Sequence, residues 1–212
     1  MRILALGGIG GPLLFVAVTV VAAWLRPGYS HVTSFISELG ATGTPNAAFM
    51  NYAGFVPTGL MLAVFGFALS ACLPRDRWRG ATSALVAIFG IGVIADGFLN
   101  CDPGCPETGG SVENLLHNRI APVAFLCASA GAAIVGLRYR HLAGWRVLSW
   151  FSLVSSAAAL CFLVFLASSL ESRALTGVWQ RLLLTVLFTW CAVVGWRAFA
   201  ARSRTPWRGR HV

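Results

Sequence analysis

Charged residues are scarce in this chain. They make up 11% of its 212 residues, and only seven residues are acidic, whereas ordinary soluble domains carry about 25% charged residues. This shortage, together with a hydrophobic content of 57%, excludes an ordinary soluble domain. The formal charge of +9 comes without the stripe of basic and aromatic residues that nucleic-acid-binding proteins show. We therefore expect no nucleic-acid partner.

Two catalytic signatures are missing as well. The chain has no Gly-x-Ser-x-Gly motif, so a serine nucleophile of the hydrolase type is not supported. It also lacks the paired Cys-x2-Cys spacing of zinc sites. We accordingly expect no metal and no other cofactor.

Six long apolar stretches take the place of the missing polar sequence. Each has about 20 residues, the length that an α-helix needs to cross a bilayer core about 30 Å thick. We predict an all-α, polytopic membrane protein, with one six-helix bundle over residues 1–200 and a basic cytoplasmic tail over 201–212. The stretches span residues 3–25, 51–73, 81–99, 120–137, 147–169 and 182–200.

Charge alternates between the connections, and this pattern predicts the topology. Every acidic residue except Asp76 falls in or near the connections that carry few arginines. Since arginine-rich connections stay in the cytoplasm, we expect a multi-pass plasma-membrane protein with both termini inside and its polar chemistry outside. The arginines of the inner side are Arg75, Arg77, Arg79, Arg138, Arg140 and Arg146, followed by Arg202, Arg204, Arg208 and Arg210 in the tail.

The connection after the first stretch predicts a short amphipathic helix on the outer face. Ser30 is a suitable N-cap residue, and Gly40 is a suitable C-terminal stop. Polar side chains recur along one face of this helix. Their spacing would let Glu38 act as an acid or base, with His31 and Ser34 in reach of the same ligand. The alternative is a polar face that meets only water.

Asp96 is the most informative acidic residue, because it lies about one helical turn inside the outer end of the third stretch. A charged group inside a bilayer costs at least about 3 kcal/mol on insertion scales. Asp96 should therefore face the bundle interior and have a partner, such as Arg119 or Arg181, with Asn100 on the same helix face. Its role is either acid/base or proton chemistry or a structural link between helices.

Cys101 and Cys105 flank a Pro-Gly turn in the next outer connection. On the oxidising side of a membrane the two thiols should form a disulfide. A zinc site that adds Asp102 and His117 is the alternative, which the spacing disfavours. His117 could otherwise pair with Glu113, four residues earlier.

Gln180 and Arg181 open the last stretch. An arginine in this position can neutralise Asp96 or an anionic lipid headgroup.

Four elements together resemble a bacterial and archaeal six-helix membrane family catalogued as domain of unknown function 998. They are Ser-Phe-Ile-Ser-Glu-Leu-Gly at 34–40, Asn-Cys-Asp-Pro-Gly-Cys at 100–105, His117, and Gly-Val-Trp-Gln-Arg at 177–181. The resemblance covers nearly the whole chain and implies six helices and an important outer face, but no established reaction. In architecture alone, the chain is also similar to small integral-membrane terpene cyclases, whose carboxyl groups near one face protonate an epoxide or alkene.

These observations favour a membrane-embedded acid/base enzyme acting on an isoprenoid or lipid-like molecule from the outer leaflet. Its partners would be such a molecule or membrane lipids, and the sequence indicates no particular protein partner. The alternatives are a small transporter or permease, and a non-catalytic scaffold or lipid-binding protein. For the enzyme, the catalytic residues would be Asp96, Glu38, His31 and His117, and the substrate-binding residues would be Asn100, Ser34, Gln180 and Arg181.

Overall fold

The computed structural model describes residues 1–200 and contains six long helices. All six are long and apolar enough to cross a membrane, which confirms the predicted all-α membrane class. The predicted basic tail over 201–212 lies outside the described residues. The helices are α1 (Ile3–Trp24), α2 (Ala47–Cys72), α3 (Trp78–Phe98), α4 (Val112–Tyr139), α5 (Arg146–Ser168) and α6 (Thr176–Ala200).

The six helices pack as a ring in chain order, and α6 closes it by packing against α1. Consecutive helices are antiparallel neighbours, as the short connections 73–77, 140–145 and 169–175 require. The α2–α3 contact is the closest, because glycines face the partner helix. A Cβ atom on Gly59 would lie 2.5 Å from the backbone nitrogen of Ile94. Without a hydrophobic drive between helices in lipid, such close backbone approach supplies dispersion contacts instead.

Helix α4 begins much earlier than its apolar stretch. The Ser111 hydroxyl caps the helix by accepting the backbone N–H of Asn114 at 3.1 Å. The polar residues before Ile120 are therefore helical, and Asn114 and His117 are buried among the connections. This early start of α4 places His117 inside the protein.

Helix α2 contains a π-helical segment, Met50–Phe55, which ends two residues before Pro57. Proline has no N–H to donate, and its ring crowds the carbonyl group four residues earlier. The backbone widens there. The widened turn buries the side chain of Asn51, which is 2% exposed.

The two ends of the bundle differ in their connections. The N-terminus lies at the end with the short connections 73–77 and 140–145, which we call the terminal end. The other end carries the connections 25–46, 99–111 and 169–175, and we call it the capped end. Residues 26–41 form a capping segment, whose apolar side chains Phe35, Ile36 and Leu39 are buried against the helices.

The capping segment is less helical than predicted. Ser30 Oγ accepts the N–H groups of Val32 and Thr33 as expected of an N-cap, but only Ser37–Gly40 forms a helical turn, of the 3₁₀ type. Distant side chains take the backbone groups that a continuous helix would use. The N–H of Ile36 donates to Gln180 Oε1 at 2.7 Å, and the Ser34 carbonyl accepts from Arg181 at 3.1 Å.

Candidate functional site

A cavity of about 30 Å³ lies inside the bundle beneath the capping segment. This volume has room for about two water molecules. Its apolar wall includes side chains from α1, α2, α4 and α6, among them four phenylalanines. Its polar atoms come from the capping segment, α3, α4 and α6. The phenylalanines are Phe15, Phe55, Phe125 and Phe188, and the polar residues are Ser37, Asp96, His117 and Gln180.

Asp96 lies on α3, two residues before the helix ends at Phe98. The residue is 7% exposed, and its Oδ1 atom is buried without a hydrogen-bond partner among residues 1–200. The nearest ionisable group is His117 on α4, whose Nδ1 lies 3.4 Å from Oδ1. Asp96 thus faces the bundle interior, as its position in an apolar stretch predicted.

The prediction that Arg119 or Arg181 pairs with Asp96 was wrong. The guanidinium group of Arg181 donates to the carbonyl oxygens of Ser34 and Gly177 at 3.1 and 2.9 Å. Arg119 forms no ion pair with any acid in the described part of the chain. Backbone carbonyls of the capping segment lack helical partners, and they bind the arginine that sequence position had assigned to the carboxyl group.

His117 is buried and turned toward α3. Its Nδ1 lies 2.9 Å from the carbonyl oxygen of Leu99, the first residue beyond α3. A neutral ring that donates from Nδ1 keeps Nε2 as an acceptor. The alternative pairing with Glu113 is not formed, since Glu113 is exposed in the first turn of α4. The burial of His117 therefore depends on the α3–α4 connection rather than on its own helix.

Gln180 connects the cavity to the capping segment. It is 9% exposed, and its Oε1 atom accepts the N–H of Ile36. Both Ile36 and Ser37 line the cavity. The side-chain amide of Gln180 therefore fixes the part of the capping segment that borders the cavity. Sequence had indicated Gln180 as a substrate-binding residue, and the structure places it in the cavity wall.

Glu38 lies outside the cavity lining. Its Oε1 atom accepts the N–H of Phe35 at 2.9 Å and lies 3.5 Å from Nη1 of Arg173. Arg173 also donates from Nη2 to the carbonyl oxygens of Gly104 and Cys105, at 2.5 and 2.9 Å. One side chain thus joins the three connections of the capped end. Sequence reasoning gave Arg173 no role, because a loop position carries no periodic signal.

The predicted polar face of Glu38, His31 and Ser34 does not form. His31 is exposed and packs its ring against Tyr29, with 5.3 Å between ring centroids. Partial burial and, to a lesser degree, the Arg181 guanidinium hold the pKa of His31 below its ordinary value. Ser34 contributes its backbone carbonyl to Arg181. None of these three residues lines the cavity.

Asn100 belongs to a second polar contact at the capped end. Its Oδ1 atom accepts from Nδ2 of Asn51 at 2.9 Å, and the same Nδ2 donates to the Gly40 carbonyl oxygen at 2.9 Å. Asn51 therefore joins α2 to both neighbouring connections. The sequence analysis missed it, although an asparagine at the edge of an apolar stretch, shortly before a proline, was a usable signal.

Cys101 and Cys105 form the predicted disulfide. Both residues are buried, and their sulfur atoms lie 3.7 and 3.6 Å from the carbonyl and hydroxyl oxygens of Ser37. Because Ser37 also lines the cavity, the disulfide packs against the part of the capping segment that borders the cavity. As a disulfide, the pair cannot supply zinc thiolates.

The match to known proteins covers this whole arrangement. The family model described as "Protein of unknown function (DUF998)" matches residues 9–197. The chain belongs to this family. The matched region includes the capping segment, the disulfide, and every residue that lines the cavity. No curated protein and no solved structure matches the chain. The family description names no reaction, so the geometry of the capped end carries the functional argument.

Proposed function

We propose that this integral membrane protein is an acid/base enzyme that acts on an isoprenoid or lipid-like molecule from the outer leaflet. One observation carries the proposal. Asp96 Oδ1 is buried without a hydrogen-bond partner among the described residues, 3.4 Å from His117, at a phenylalanine-lined cavity. Ionisable groups inside a membrane are costly, and they commonly mark functional sites.

Asp96 is the proton donor in this proposal. Burial among apolar side chains favours the neutral form of a carboxyl group, because a lone buried charge is expensive. His117 is the neighbouring base, able to accept a proton at Nε2 while Nδ1 stays bound to Leu99. The two residues come from different helices, so their separation is set by the α3–α4 packing.

The reaction that suits this site is a proton-initiated rearrangement such as cyclisation. The Asp96 proton adds to an alkene or epoxide, and a cation forms. The cation then loses a different proton to the Asp96 carboxylate, directly or through His117, so the product is an isomer and no co-reactant is consumed. Aromatic faces stabilise cations, and the rings of Phe15, Phe55, Phe125 and Phe188 border the cavity.

Access to the cavity requires the capped end to open. The cavity volume is about 30 Å³, whereas pockets for drug-sized ligands measure about 300–1,000 Å³. The capping segment is the part that covers it, through Ile36 and Ser37. A closed cap would exclude water from the reacting cation. In this scheme Glu38 positions the cap through Arg173, and its predicted role as a catalytic base stays a prediction.

The proposed orientation places the capped end outside the cell. The terminal end carries most arginines of the described chain, and arginine-rich connections stay in the cytoplasm. Both termini would then be cytoplasmic, and the protein would be a multi-pass protein of the plasma membrane. The terminal-end arginines are Arg2, Arg75, Arg77, Arg79, Arg138, Arg140, Arg146 and Arg197.

A second candidate is a non-catalytic lipid-binding or scaffold role. The small cavity favours it, since room for about two waters suffices for a structural polar site. Asp96 and His117 would then simply tie α3 to α4. The two candidates differ in what Asp96→Asn does to small molecules bound by the protein.

The test is mass spectrometry of apolar molecules that co-purify in mild detergent. Asp96→Asn keeps the shape of the side chain and removes its acid function, so an enzyme should retain a defined isoprenoid or lipid-like substrate that the wild type converts. Asp76→Asn, at the terminal end, is the matched control and should behave like the wild type. Bulk phospholipid alone in all three proteins would refute the enzyme and favour the structural role.

A further inference from the structure

Two arginines flank one tyrosine at the capped end. Arg26 follows α1, and Arg181 lies in the second turn of α6. Their Cζ atoms lie 5.8 and 5.7 Å from the centroid of the Tyr29 ring. Nη2 of Arg181 also donates to the Tyr29 hydroxyl at 2.5 Å. The ring therefore holds two guanidinium groups in one small region.

Neither guanidinium group has an acidic partner in the described chain. The ion pairs of residues 1–200 are His117–Asp96, Arg138–Asp76 and Arg173–Glu38. Glu38 is the one acidic residue of the capping segment, and it forms its ion pair with Arg173. Arg26 and Arg181 thus carry two positive charges without an ion pair of their own, and His31 packs on the same tyrosine.

Backbone contacts orient both arginines and still leave N–H groups for a ligand. Arg26 uses Nη1 to bind the Glu38 carbonyl oxygen. Arg181 uses Nη1 for Ser34 and Gly177, and Nη2 for Tyr29. Among the described residues, Nε of both arginines and Nη2 of Arg26 donate to no protein atom. Both residues are half-buried, so they reach the protein surface from fixed positions.

The depth of this cluster is that of lipid headgroups. It lies at the end of α1 and the beginning of α6, which are neighbouring helices of the ring. Trp24, the last residue of α1, is 83% exposed. Tryptophan at a helix end marks the interface between the bilayer core and water. A cationic site here therefore meets headgroups of the adjacent leaflet.

We propose that Arg26, Tyr29 and Arg181 form a binding site for the phosphate group of a lipid in the leaflet at the capped end. Guanidinium groups match phosphate through paired, charge-assisted hydrogen bonds. The Tyr29 hydroxyl donates to the Phe35 carbonyl oxygen at 3.0 Å, so it positions the arginines rather than the phosphate. Neither arginine lines the cavity, and the site does not depend on the acid/base proposal.

The test measures binding of dioctanoyl phosphatidylglycerol to delipidated protein in detergent. Dioctanoylglycerol, which has the same acyl chains and no phosphate, is the lipid control, and inorganic phosphate is the free-anion control. We expect tight binding of the phospholipid alone. Arg26→Gln and Arg181→Gln should each weaken it about tenfold, the usual effect of losing a hydrogen bond to a charged group.

Three further variants separate the explanations. Arg140→Gln removes an exposed arginine at the terminal end and should leave the affinity unchanged. Arg181→Lys keeps the charge without the forked geometry, and should bind with intermediate affinity if it folds like the wild type. Asp96→Asn should bind normally, since it tests the cavity alone. Equal affinity for dioctanoylglycerol, equal affinity for inorganic phosphate, or normal binding by both glutamine variants would overturn the proposal.

Discussion

Asp96 and His117 meet inside the bundle although they come from different helices, with 3.4 Å between Oδ1 and Nδ1. His117 is at the same time bound to the Leu99 carbonyl oxygen at 2.9 Å. The histidine therefore stays in place whether or not the aspartate contributes a hydrogen bond. Asp96 Oδ1 is thus left without a hydrogen-bond partner among the described residues. The effect of an Asp96 substitution on stability can therefore be measured separately from its effect on activity.

Replacement of Asp96 by leucine should stabilise the protein. An unpartnered buried polar atom costs about 1–3 kcal/mol. Leucine has the same branched shape without this cost, and its larger side chain can fill part of the cavity that Asp96 lines. We expect the free energy of unfolding in detergent to rise by about 1 kcal/mol, while the proposed activity is lost. Thermal unfolding measures the change.

Asp76→Leu should have the opposite effect on stability in the same assay. Asp76 Oδ1 accepts the N–H groups of Trp78 and Arg79 at the beginning of α3. Loss of this cap should lower the free energy of unfolding by about 1 kcal/mol. A clear loss of stability in Asp96→Leu as well would mean that Asp96 is a structural link.

Asn51→Ala should destabilise the capped end. The Asn51 Nδ2 group donates to the Gly40 carbonyl oxygen and to Asn100 Oδ1, and alanine leaves both acceptors without this donor. We expect a loss of about 2–3 kcal/mol in the free energy of unfolding. Asn100→Ala removes one of the two contacts and should cost about half as much in the same thermal assay. Equal stability of Asn51→Ala and wild type would rule out this role.

Arg173→Gln should loosen the capping segment without unfolding the bundle. It removes the donor to the Gly104 and Cys105 carbonyl oxygens and the ion partner of Glu38. Amide hydrogen exchange should become about tenfold faster in residues 26–41, while exchange in α5 stays unchanged. If exchange speeds up equally in all helices, Arg173 stabilises the whole fold rather than the cap.

His31 should titrate below the ordinary histidine pKa of 6.5, because burial and then Arg181 disfavour its charged form. The folded protein thus binds this proton less readily than the unfolded chain. The resulting stability is present above pH 6.5 and is lost as the pH falls from 6.5 through the folded pKa.

Arg181→Gln should move the His31 pKa up toward 6.5 without reaching it, since burial is the larger cause. NMR titration of labelled histidine measures both values, with His31→Gln to assign the signal. An identical pKa in the two proteins would exclude an effect of Arg181.

Local sequence sufficed to predict the helices and several polar positions. Hydrophobic length measured against a bilayer predicts six spans, because each span is decided by its own residues. Cys101 and Cys105 pair across a short turn for the same reason. Asp96 faces inward because lipid excludes a carboxyl group whatever its neighbours are.

Tertiary structure alone decided which polar groups meet. The N–H of Ile36 binds Gln180, 144 residues away, and the Ser34 carbonyl binds Arg181, 147 residues away. These contacts prevent a continuous helix in the capping segment and keep Arg181 from Asp96. His117 reaches Asp96 because α4 packs beside α3, and Arg173 joins three connections that no sequence period relates. A local pattern states which residue needs a partner, whereas the partner itself depends on how the helices pack.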